Sequence, residues 1–335
     1  MYALQVAVVK SGGGITTAVQ HYARMFARVG VRNAVLFRGP GAEMLRGEGF
    51  EVFEAPQHLT ASWAAPVLPF GALRKAVGEP DIVIVHSDLA LAGIVRAFPN
   101  ARVVAPCHSD KTKHKHRAHL VVTLNPDQHA RVSAALAGTR ARTALLGNPY
   151  APAQAAGPLR QAGAPRVNFV GRFIATKDPL ALVAAVALTR KRPPLCFIGD
   201  GELSGAVREA VSAAGLGADF KGWVAGPFSA FAHNDVLVLP SHWEGLPYLL
   251  LESLDHGVPT IASDIPGNRA ALGDGLFGAL YPLGDAPALA NAIDEALGNL
   301  DALRSKAEKG RAAIAARYGA APFWAALQGA LDLSA

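Results

Sequence analysis

Cysteines, aromatic residues and long apolar runs are all scarce in this chain of 335 residues. Its two cysteines, Cys107 and Cys196, exclude a disulfide scaffold, and since both lie in apolar runs we expect small buried side chains. The longest apolar run, residues 180–188, is far shorter than the roughly 20 residues that cross a bilayer, which predicts no transmembrane helix. The first apolar stretch stops at Lys10 and follows no basic segment, which indicates a strand rather than a signal peptide and a cytoplasmic protein.

Charged residues make up only 17% of the chain, whereas apolar residues make up 51%. This composition excludes a mainly disordered protein, and the length predicts about two domains. A net charge of +6 favours an anionic partner, such as a nucleotide, a phosphorylated lipid or an acidic glycan. A nucleic-acid partner is not expected, because the basic residues are not interleaved with the aromatic residues that stack on bases.

Apolar, β-branched runs alternate with helical patterns in both halves of the chain, which favours parallel sheets covered by helices. The predicted strands lie at residues 4–9, 34–37, 82–85, 103–106, 120–124, 143–146, 167–170, 195–198, 236–239, 260–262 and 277–281. The sequence thus predicts two doubly wound α/β domains, at residues 1–147 and 166–315, joined by a linker at residues 148–165 that is rich in proline and glycine. Residues 316–335 are expected to form a helix that packs back on the first domain. The cleft between two such domains is the expected ligand site.

Two glycine-rich turns follow predicted strands. Gly13 and Gly14 end the first turn, where backbone N–H groups at a helix N-terminus suit a phosphate, and Thr16 or Thr17 is positioned to cap that helix. Residues 199–201, Gly-Asp-Gly, form the second turn. The spacing of the first turn fits neither the dinucleotide fingerprint nor the P-loop, and the second turn resembles half of the fingerprint, with its third glycine one place late at Gly205. Each turn is interpreted as a ligand contact or as a tight connection between a strand and a helix.

Two further loops carry charged residues. Arg172 and Lys177 lie between a predicted strand and a predicted helix, where they either converge on a diphosphate or form a solvated basic loop. Glu244 and Glu252 are eight residues apart, on either side of a helix start at Pro247. One carboxylate can then contact a sugar and the other a ribose diol, the alternatives being a helix cap and a solvated helix face.

The second half of the chain resembles the retaining glycosyltransferases of family 4, which have the GT-B fold of two facing Rossmann-like domains with an interdomain cleft. The resemblance covers residues 167–297 and rests on the Gly-Arg…Lys element, the Gly-Asp-Gly turn and a Glu-x7-Glu element within PSHWEGLPYLLLESLDHGVP. The first half matches more loosely, through the residues Gly13, Gly14, His86, His108 and Asn148.

The resemblance implies a donor-binding set in the second domain. Arg172 and Lys177 contact the diphosphate of a nucleotide-diphosphate sugar, and Glu252 contacts its ribose. Glu244, with the backbone amides of Gly245 and Leu246, contacts its sugar. The resemblance also places His108 at the reacting face, as a catalytic residue together with Glu244. It brings Gly13 and Gly14 to the phosphates from the first domain, and His86 is a further candidate to line the cleft.

The sequence lacks any Asp-x-Asp pair, so no metal is expected. Cations and helix N-termini can stabilise a leaving diphosphate instead. The nucleotide-diphosphate sugar, a UDP-sugar rather than a GDP-sugar, is then a co-substrate, and no cofactor is expected. Three differences from the family pattern bear on the donor. Pro266-Gly267 replaces a glycine pair, Ala270 stands where an acidic residue is frequent, and Thr16 or Thr17 occupies the region where an acidic residue often follows the first glycine pair.

Residues 110–117, DKTKHKHR, concentrate positive charge just after His108. We interpret this segment as the contact for an anionic, lipid-linked or glycan acceptor, or for lipid head groups at the inner face of the cytoplasmic membrane, through Lys111, Lys113, Lys115 and Arg117. The alternative is a solvated basic loop. Lysines between the histidines disfavour a metal site.

The sequence therefore predicts a retaining glycosyltransferase of the hexosyltransferase type, with a lipid-linked, lipopolysaccharide or polysaccharide acceptor. Two alternatives stay open. One is a sugar-nucleotide epimerase on the same fold, which the Gly-Arg…Lys and Glu-x7-Glu elements disfavour. The other is a non-catalytic protein that binds nucleotide sugars for a partner enzyme. Only the two enzymes turn over a sugar nucleotide.

Overall fold

The computed structural model describes residues 1–9, 13–60, 70–153, 159–161 and 163–333. The chain divides into two compact units, unit 1 (Met1–Ala153 with Ala316–Ala335) and unit 2 (Gln154–Ala315). Each unit is built on a parallel sheet whose strands alternate with helices, which confirms the predicted α/β class. In the part of the chain that the structure describes, no helix combines the length and the apolarity needed to cross a membrane.

Unit 1 contains a seven-stranded sheet with the order β3-β2-β1-β4-β5-β6-β7. Its strands are β1 (Tyr2–Val8), β2 (Arg32–Arg38), β3 (Glu51–Glu54), β4 (Ile82–Val85), β5 (Arg102–Pro106), β6 (Leu120–Thr123) and β7 (Arg142–Leu145). Its first helices are α1 (Gly14–Arg28), α2 (Ala42–Gly47), α3 (Gly71–Val77), α4 (Leu91–Ala97) and α5 (Pro126–Leu136). The strand order reverses between β1 and β4, and such a reversal is where doubly wound sheets bind ligands.

Unit 2 contains a six-stranded sheet with the order β10-β9-β8-β11-β12-β13. Its strands are β8 (Val167–Val170), β9 (Leu195–Ile198), β10 (Ala218–Phe220), β11 (Val236–Leu239), β12 (Thr260–Ser263) and β13 (Ala279–Tyr281). Its helices are α6 (Pro179–Leu188), α7 (Ser204–Ala213), α8 (Tyr248–Asp255), α9 (Pro266–Leu272) and α10 (Ala286–Gly298). The chain ends with α11 (Leu300–Tyr318) and α12 (Ala320–Leu331).

Inner and edge strands differ in how clearly the sequence predicts them. All residues of β4 and β11 are buried, because helices cover both faces of a parallel sheet, and their unbroken apolar runs predict both strands with the observed bounds. The edge strands β3 and β10 escape the prediction. β3 has only two apolar residues, which lie between two glutamates, and β10 has only three residues, none of them fully buried.

The last helix belongs to the core of unit 1. The aromatic face of α1 presents Tyr22 and Phe26, which the helical spacing of apolar residues predicts to be buried. Tyr22 packs edge-on against Phe323 of α12, with ring centroids 5.7 Å apart, and Phe26 packs against Trp324 at 5.6 Å. The helix α12 therefore completes the same core as the first strands of the chain.

The predicted linker begins too early. The N–H of Ala151 donates to Nδ1 of the buried His21 at 2.8 Å, and the N–H of Tyr150 donates to the Tyr318 carbonyl at 2.6 Å. These contacts keep the chain in unit 1 as far as Ala153. Residues 154–158 and 162 of the predicted linker lie outside the described residues.

Candidate active site

Four loops of unit 2 follow neighbouring strands at the same edge of the sheet. They follow β9, β8, β11 and β12, which are adjacent in that order. Because parallel strands all end at one edge, the loops form a continuous rim. Among the candidate donor residues of unit 2, Arg172 and Lys177 lie in the β8 loop, and Glu244, Gly245 and Leu246 lie in the β11 loop.

Close backbone packing explains the Gly-Asp-Gly turn after β9. A Cβ on Gly199 would lie 2.0 Å from the carbonyl oxygen of Gly171, and one on Gly201 would lie 2.6 Å from that of Phe173. Gly199 also has a φ of +129°, which L side chains rarely adopt. These glycines hold the β9 loop against the β8 loop, which is the tight-turn interpretation of the motif.

The Pro266-Gly267 pair has a similar explanation. A Cβ on Gly267 would lie 2.3 Å from the carbonyl oxygen of Glu244 and 2.8 Å from that of Gly245. Pro266 is the first residue of α9. Proline has no backbone N–H, and at this position a backbone N–H would have no hydrogen-bond partner within the helix. Only the second position of the family's glycine pair therefore has to be glycine in this chain.

The structure brings two predicted site residues into direct contact. The Lys177 ammonium donates to Oε1 of Glu244, and the two side chains are 26% and 10% exposed. A second link joins the same two loops, since His242 Nε2 lies 2.8 Å from Oδ2 of Asp178 and the His242 N–H donates to the Thr176 carbonyl at 2.8 Å. The sequence does not predict these links, although Asp178 before a proline carries the signature of a helix N-cap.

Arg172 differs from Lys177 in its surroundings. Its side chain is exposed and forms no ion pair with any residue that the structure describes. The Lys177–Glu244 pair carries no net charge and Asp178 adds a carboxylate, so Arg172 is the cation of these two loops that has no ion-pair partner among the described residues. An anion that binds at the rim would meet Arg172 directly and would compete with Glu244 for the Lys177 ammonium.

The remaining donor residues surround the start of α8. Gly245 and Leu246 are buried just before the helix, and Glu252 lies half-buried inside it. The helix begins at Tyr248 rather than at Pro247 as predicted, because Pro247 has an extended ψ of 121° and occupies the N-cap position. Among the described residues, no three His, Cys, Asp or Glu side chains are close enough to hold a metal ion.

Gly13 and Gly14 lie where α1 begins in unit 1. Gly13 has a φ of +149°, and a Cβ on either glycine would meet no described atom within 4 Å. The backbone conformation therefore requires glycine at position 13, whereas packing does not. Neither Thr16 nor Thr17 caps the helix as predicted, because α1 begins at Gly14 and both threonines fall inside it. Residues 10–12 lie outside the described residues.

His86 and His108 follow the neighbouring strands β4 and β5, and their rings meet. His86 Nδ1 lies 2.9 Å from His108 Nε2, and the Nε2 of His86 lies 3.1 Å from the side-chain amide of Gln5 on β1. Burial lowers the pKa of His86 well below its usual value, and burial with the nearby Lys115 ammonium lowers the pKa of His108 to about 4. Both rings are therefore neutral near pH 7. Gln5, a lone amide in an apolar strand, is the sequence signal for this contact.

The structure contradicts one residue of the predicted acceptor contact. Lys115 is 1% exposed, and its ammonium donates to the Asp88 carboxylate and, at 2.8 Å, to the Lys111 carbonyl. A buried ammonium needs such a partner, so Lys115 belongs to an internal ion pair and is not a surface cation. Lys111 and Lys113 are exposed and Arg117 is half-buried, so this surface is less positive than the sequence predicts.

Comparison with known proteins identifies the family. A family model described as glycosyl transferases group 1 matches residues 164–299. The 2-deoxystreptamine N-acetyl-D-glucosaminyltransferase of Streptomyces fradiae is 30% identical over 310 residues, which cover 78% of this chain and 73% of that protein. The chain belongs to the group 1 glycosyltransferases. A second relative is the lipopolysaccharide core biosynthesis glycosyltransferase LpsE of Rhizobium meliloti (strain 1021). It is 31% identical over 163 residues, which cover 47% of this chain and 46% of that protein. The chain thus matches about half the length of LpsE.

The fold agrees with that of solved structures. The crystal structure of Anabaena HepE in complex with UDP and glucose superposes on this chain with a TM-score of 0.75 at 16% identity, covering 100% of both chains. An identity this low establishes the fold alone. The two parallel-sheet, Rossmann-like units of this group 1 glycosyltransferase thus have the GT-B architecture, as the sequence predicts.

Proposed function

We propose that this protein is a retaining glycosyltransferase of family 4 that transfers a hexose from a UDP-sugar to a lipid-linked, lipopolysaccharide or polysaccharide acceptor. The observation that carries the proposal is the rim of unit 2, where the exposed Arg172 lies in the same loop as the Lys177–Glu244 ion pair. Two cations suit a diphosphate, and a carboxylate beside them suits a sugar hydroxyl. The relatives support this choice of substrates, since LpsE is named for lipopolysaccharide core biosynthesis and the HepE crystal contains UDP and glucose.

The proposed reaction needs neither a metal nor a protein nucleophile. The bond between the anomeric carbon and the diphosphate oxygen breaks, and the acceptor hydroxyl bonds to that carbon on the same face of the sugar. The acceptor proton passes to the departing diphosphate, whose negative charge Arg172 and Lys177 stabilise. Glu244 accepts a hydrogen bond from a hydroxyl of the transferred sugar, and Glu252 binds the ribose.

Unit 1 supplies the other groups in this proposal. The N–H groups of Gly13 and Gly14 approach the phosphates, since an open helix start with a glycine backbone suits an anion. His108 contacts the transferred sugar. The cations Lys111, Lys113 and Arg117 face an anionic acceptor or the lipid head groups at the cytoplasmic face of the membrane.

The first experiment measures thermal unfolding with UDP, GDP and ADP and their sugar conjugates. A ligand at 100 times its Kd adds about 2.7 kcal/mol to the free energy of unfolding. We expect stabilisation by UDP and UDP-sugars that the double variant Arg172→Ala/Lys177→Ala loses. The control Arg190→Ala/Lys191→Ala removes the same charge beyond the other end of α6 and should respond like the wild type.

The outcomes separate the three candidate functions. No stabilisation by any nucleotide in a folded sample would overturn the proposal. Binding without turnover, with every acceptor tested, would favour the non-catalytic protein, and conversion of the UDP-sugar without an acceptor would favour the epimerase. Transfer with an α-configured product from an α-configured donor, measured by NMR of the product, is the result that the proposal expects.

A further inference from the structure

Gln5, His86 and His108 form a hydrogen-bonded chain across three neighbouring strands. Gln5 lies on β1, His86 directly follows β4, and His108 lies just after β5. Gln5 and His86 are buried, whereas His108 is half-buried. A neutral imidazole has one N–H and one bare nitrogen, so each link of this chain has a direction.

The backbone of α1 sets the direction of the first link. The Gln5 amide lies against the Val19 carbonyl, which can only accept a hydrogen bond, and the Ala23 N–H, which can only donate one. The Gln5 oxygen therefore accepts from Ala23 at 3.1 Å, and the Gln5 nitrogen donates to Val19 at 3.2 Å. In this orientation the same nitrogen donates to Nε2 of His86 at 3.1 Å. The opposite orientation would set donor against donor and acceptor against acceptor in a buried place, which is costly.

The proton positions on both rings follow from this link. Because Nε2 of His86 accepts from Gln5, the proton of the neutral ring lies on Nδ1, which donates to Nε2 of His108. His108 then carries its own proton on Nδ1. No other hydrogen bond from the described residues reaches that ring. We infer that Gln5 and His86 are positioning residues that lock His108 in the Nδ1–H tautomer, as a neutral hydrogen-bond donor to a hydroxyl of the transferred sugar.

This arrangement also limits what His108 can do. Its basic nitrogen, Nε2, accepts from His86 and is not available to take a proton from the acceptor. The lowered pKa of about 4 keeps a second proton off the ring near pH 7. The departing diphosphate is then left as the base, in agreement with the proposed reaction. The inference rests on the proposed function only for the sugar contact, because the tautomer is a property of unit 1 alone.

The direct test is NMR of the full chain labelled with 15N-histidine at pH 7. Long-range correlations between ring protons and ring nitrogens distinguish a protonated nitrogen from a bare one. The spectrum of His108→Gln assigns the His108 signals by their loss, and that of His86→Phe assigns those of His86. We expect both rings of the wild type to be protonated at Nδ1 and bare at Nε2.

Two variants test whether Gln5 and His86 fix the tautomer of His108, and a third variant serves as the matched control. Gln5→Met removes the amide that orients His86, and His86→Phe removes the donor to His108 while keeping a ring. In both, His108 should populate the Nε2–H form, and kcat should fall about tenfold, equivalent to one hydrogen bond, with the donor KM nearly unchanged. Tyr22→Phe perturbs the same core, since its ring lies 5.2 Å from that of His86, but its hydroxyl bonds to no described residue. The control should keep both the tautomer and kcat.

Each outcome decides one part of the inference. A wild-type His108 protonated at Nε2, or at both nitrogens, would overturn the tautomer. An Nδ1–H tautomer that persists in Gln5→Met and in His86→Phe would overturn the positioning role of those two residues. If the tautomer changes in the variants while kcat does not, the lock stands and the sugar contact of His108 is wrong.

Discussion

At the scale of single residues, Gly267 controls where Glu244 can lie. The loop that carries Glu244 passes so close to α9 that only a hydrogen atom fits at position 267. The obstacle to a larger side chain is backbone, the carbonyl oxygens of Glu244 and Gly245, and not the flexible end of a side chain. A substitution there has to move the loop, and with it the carboxylate that pairs with Lys177.

We predict that Gly267→Ala lowers both activity and stability. Its Cβ would lie 2.3 Å from the Glu244 carbonyl oxygen, and relief of that contact costs about 1–3 kcal/mol of unfolding free energy. A displacement of about 1 Å at a reacting centre can reduce kcat/KM about 100-fold. Urea unfolding and steady-state kinetics with the donor measure the two effects.

The matched control for this prediction is Gly205→Ala, at the start of α7 in the same unit. A Cβ there meets no atom of the described residues within 4 Å, so the variant should be as active as the wild type and slightly more stable. Full activity in Gly267→Ala would mean that the position of the Glu244 loop does not limit the reaction.

At the scale of elements, the loop between β5 and β6 carries one buried lysine and two exposed ones. The buried ammonium of Lys115 donates to the Asp88 carboxylate and to the Lys111 carbonyl, whereas the side chain of Lys113 is exposed. The alternating pattern of this segment gives no sign of the difference. Asp88, which decides it, lies 27 residues away on another loop.

We predict that the two lysines give opposite results when each is replaced by methionine. Lys115→Met leaves the Asp88 carboxylate without its cation and should lower the free energy of unfolding by about 2 kcal/mol, with vesicle binding unchanged. Lys113→Met should stay within about 0.5 kcal/mol of the wild type and should weaken binding to vesicles that contain anionic lipid. Urea unfolding and vesicle sedimentation provide the measurements. Equal stability of the two variants would show that the buried pair contributes nothing.

The same contrast shows how far the sequence predicts the elements and the candidate site. Buried strands such as β4 and β11 produce unbroken apolar runs, so their bounds follow from composition alone. The sequence also predicts the loops that carry Arg172, Lys177 and Glu244, because these loops follow the apolar runs of β8 and β11. The contact between His86 and His108 was not predicted, since it depends on β4 and β5 being neighbours, which is a property of strand order.

At the scale of the whole molecule, unit 1 is formed from both ends of the chain. Its first residue and its last helix are separated by all of unit 2, yet α12 packs on α1 in a single aromatic core. The ring of Tyr22 contacts two other rings edge-on, that of Phe323 at 5.7 Å and that of His86 at 5.2 Å. The final helix thus packs against α1, which begins at Gly14, and Tyr22 of α1 in turn contacts the ring of His86.

We predict that Phe323→Ala destabilises unit 1 selectively. Phe323 is 1% exposed, and truncation of such a ring costs about 3–5 kcal/mol, because both the burial of the ring and its contacts are lost. Hydrogen exchange should therefore rise in β1, β4 and α1 and stay unchanged in β8, β11 and α8. Leu276→Ala, a truncation at a side chain that is 68% exposed in unit 2, should change neither pattern. Exchange that rises equally in both units would mean that the two cores unfold together, and the last helix would then stabilise the whole chain rather than the unit that it completes.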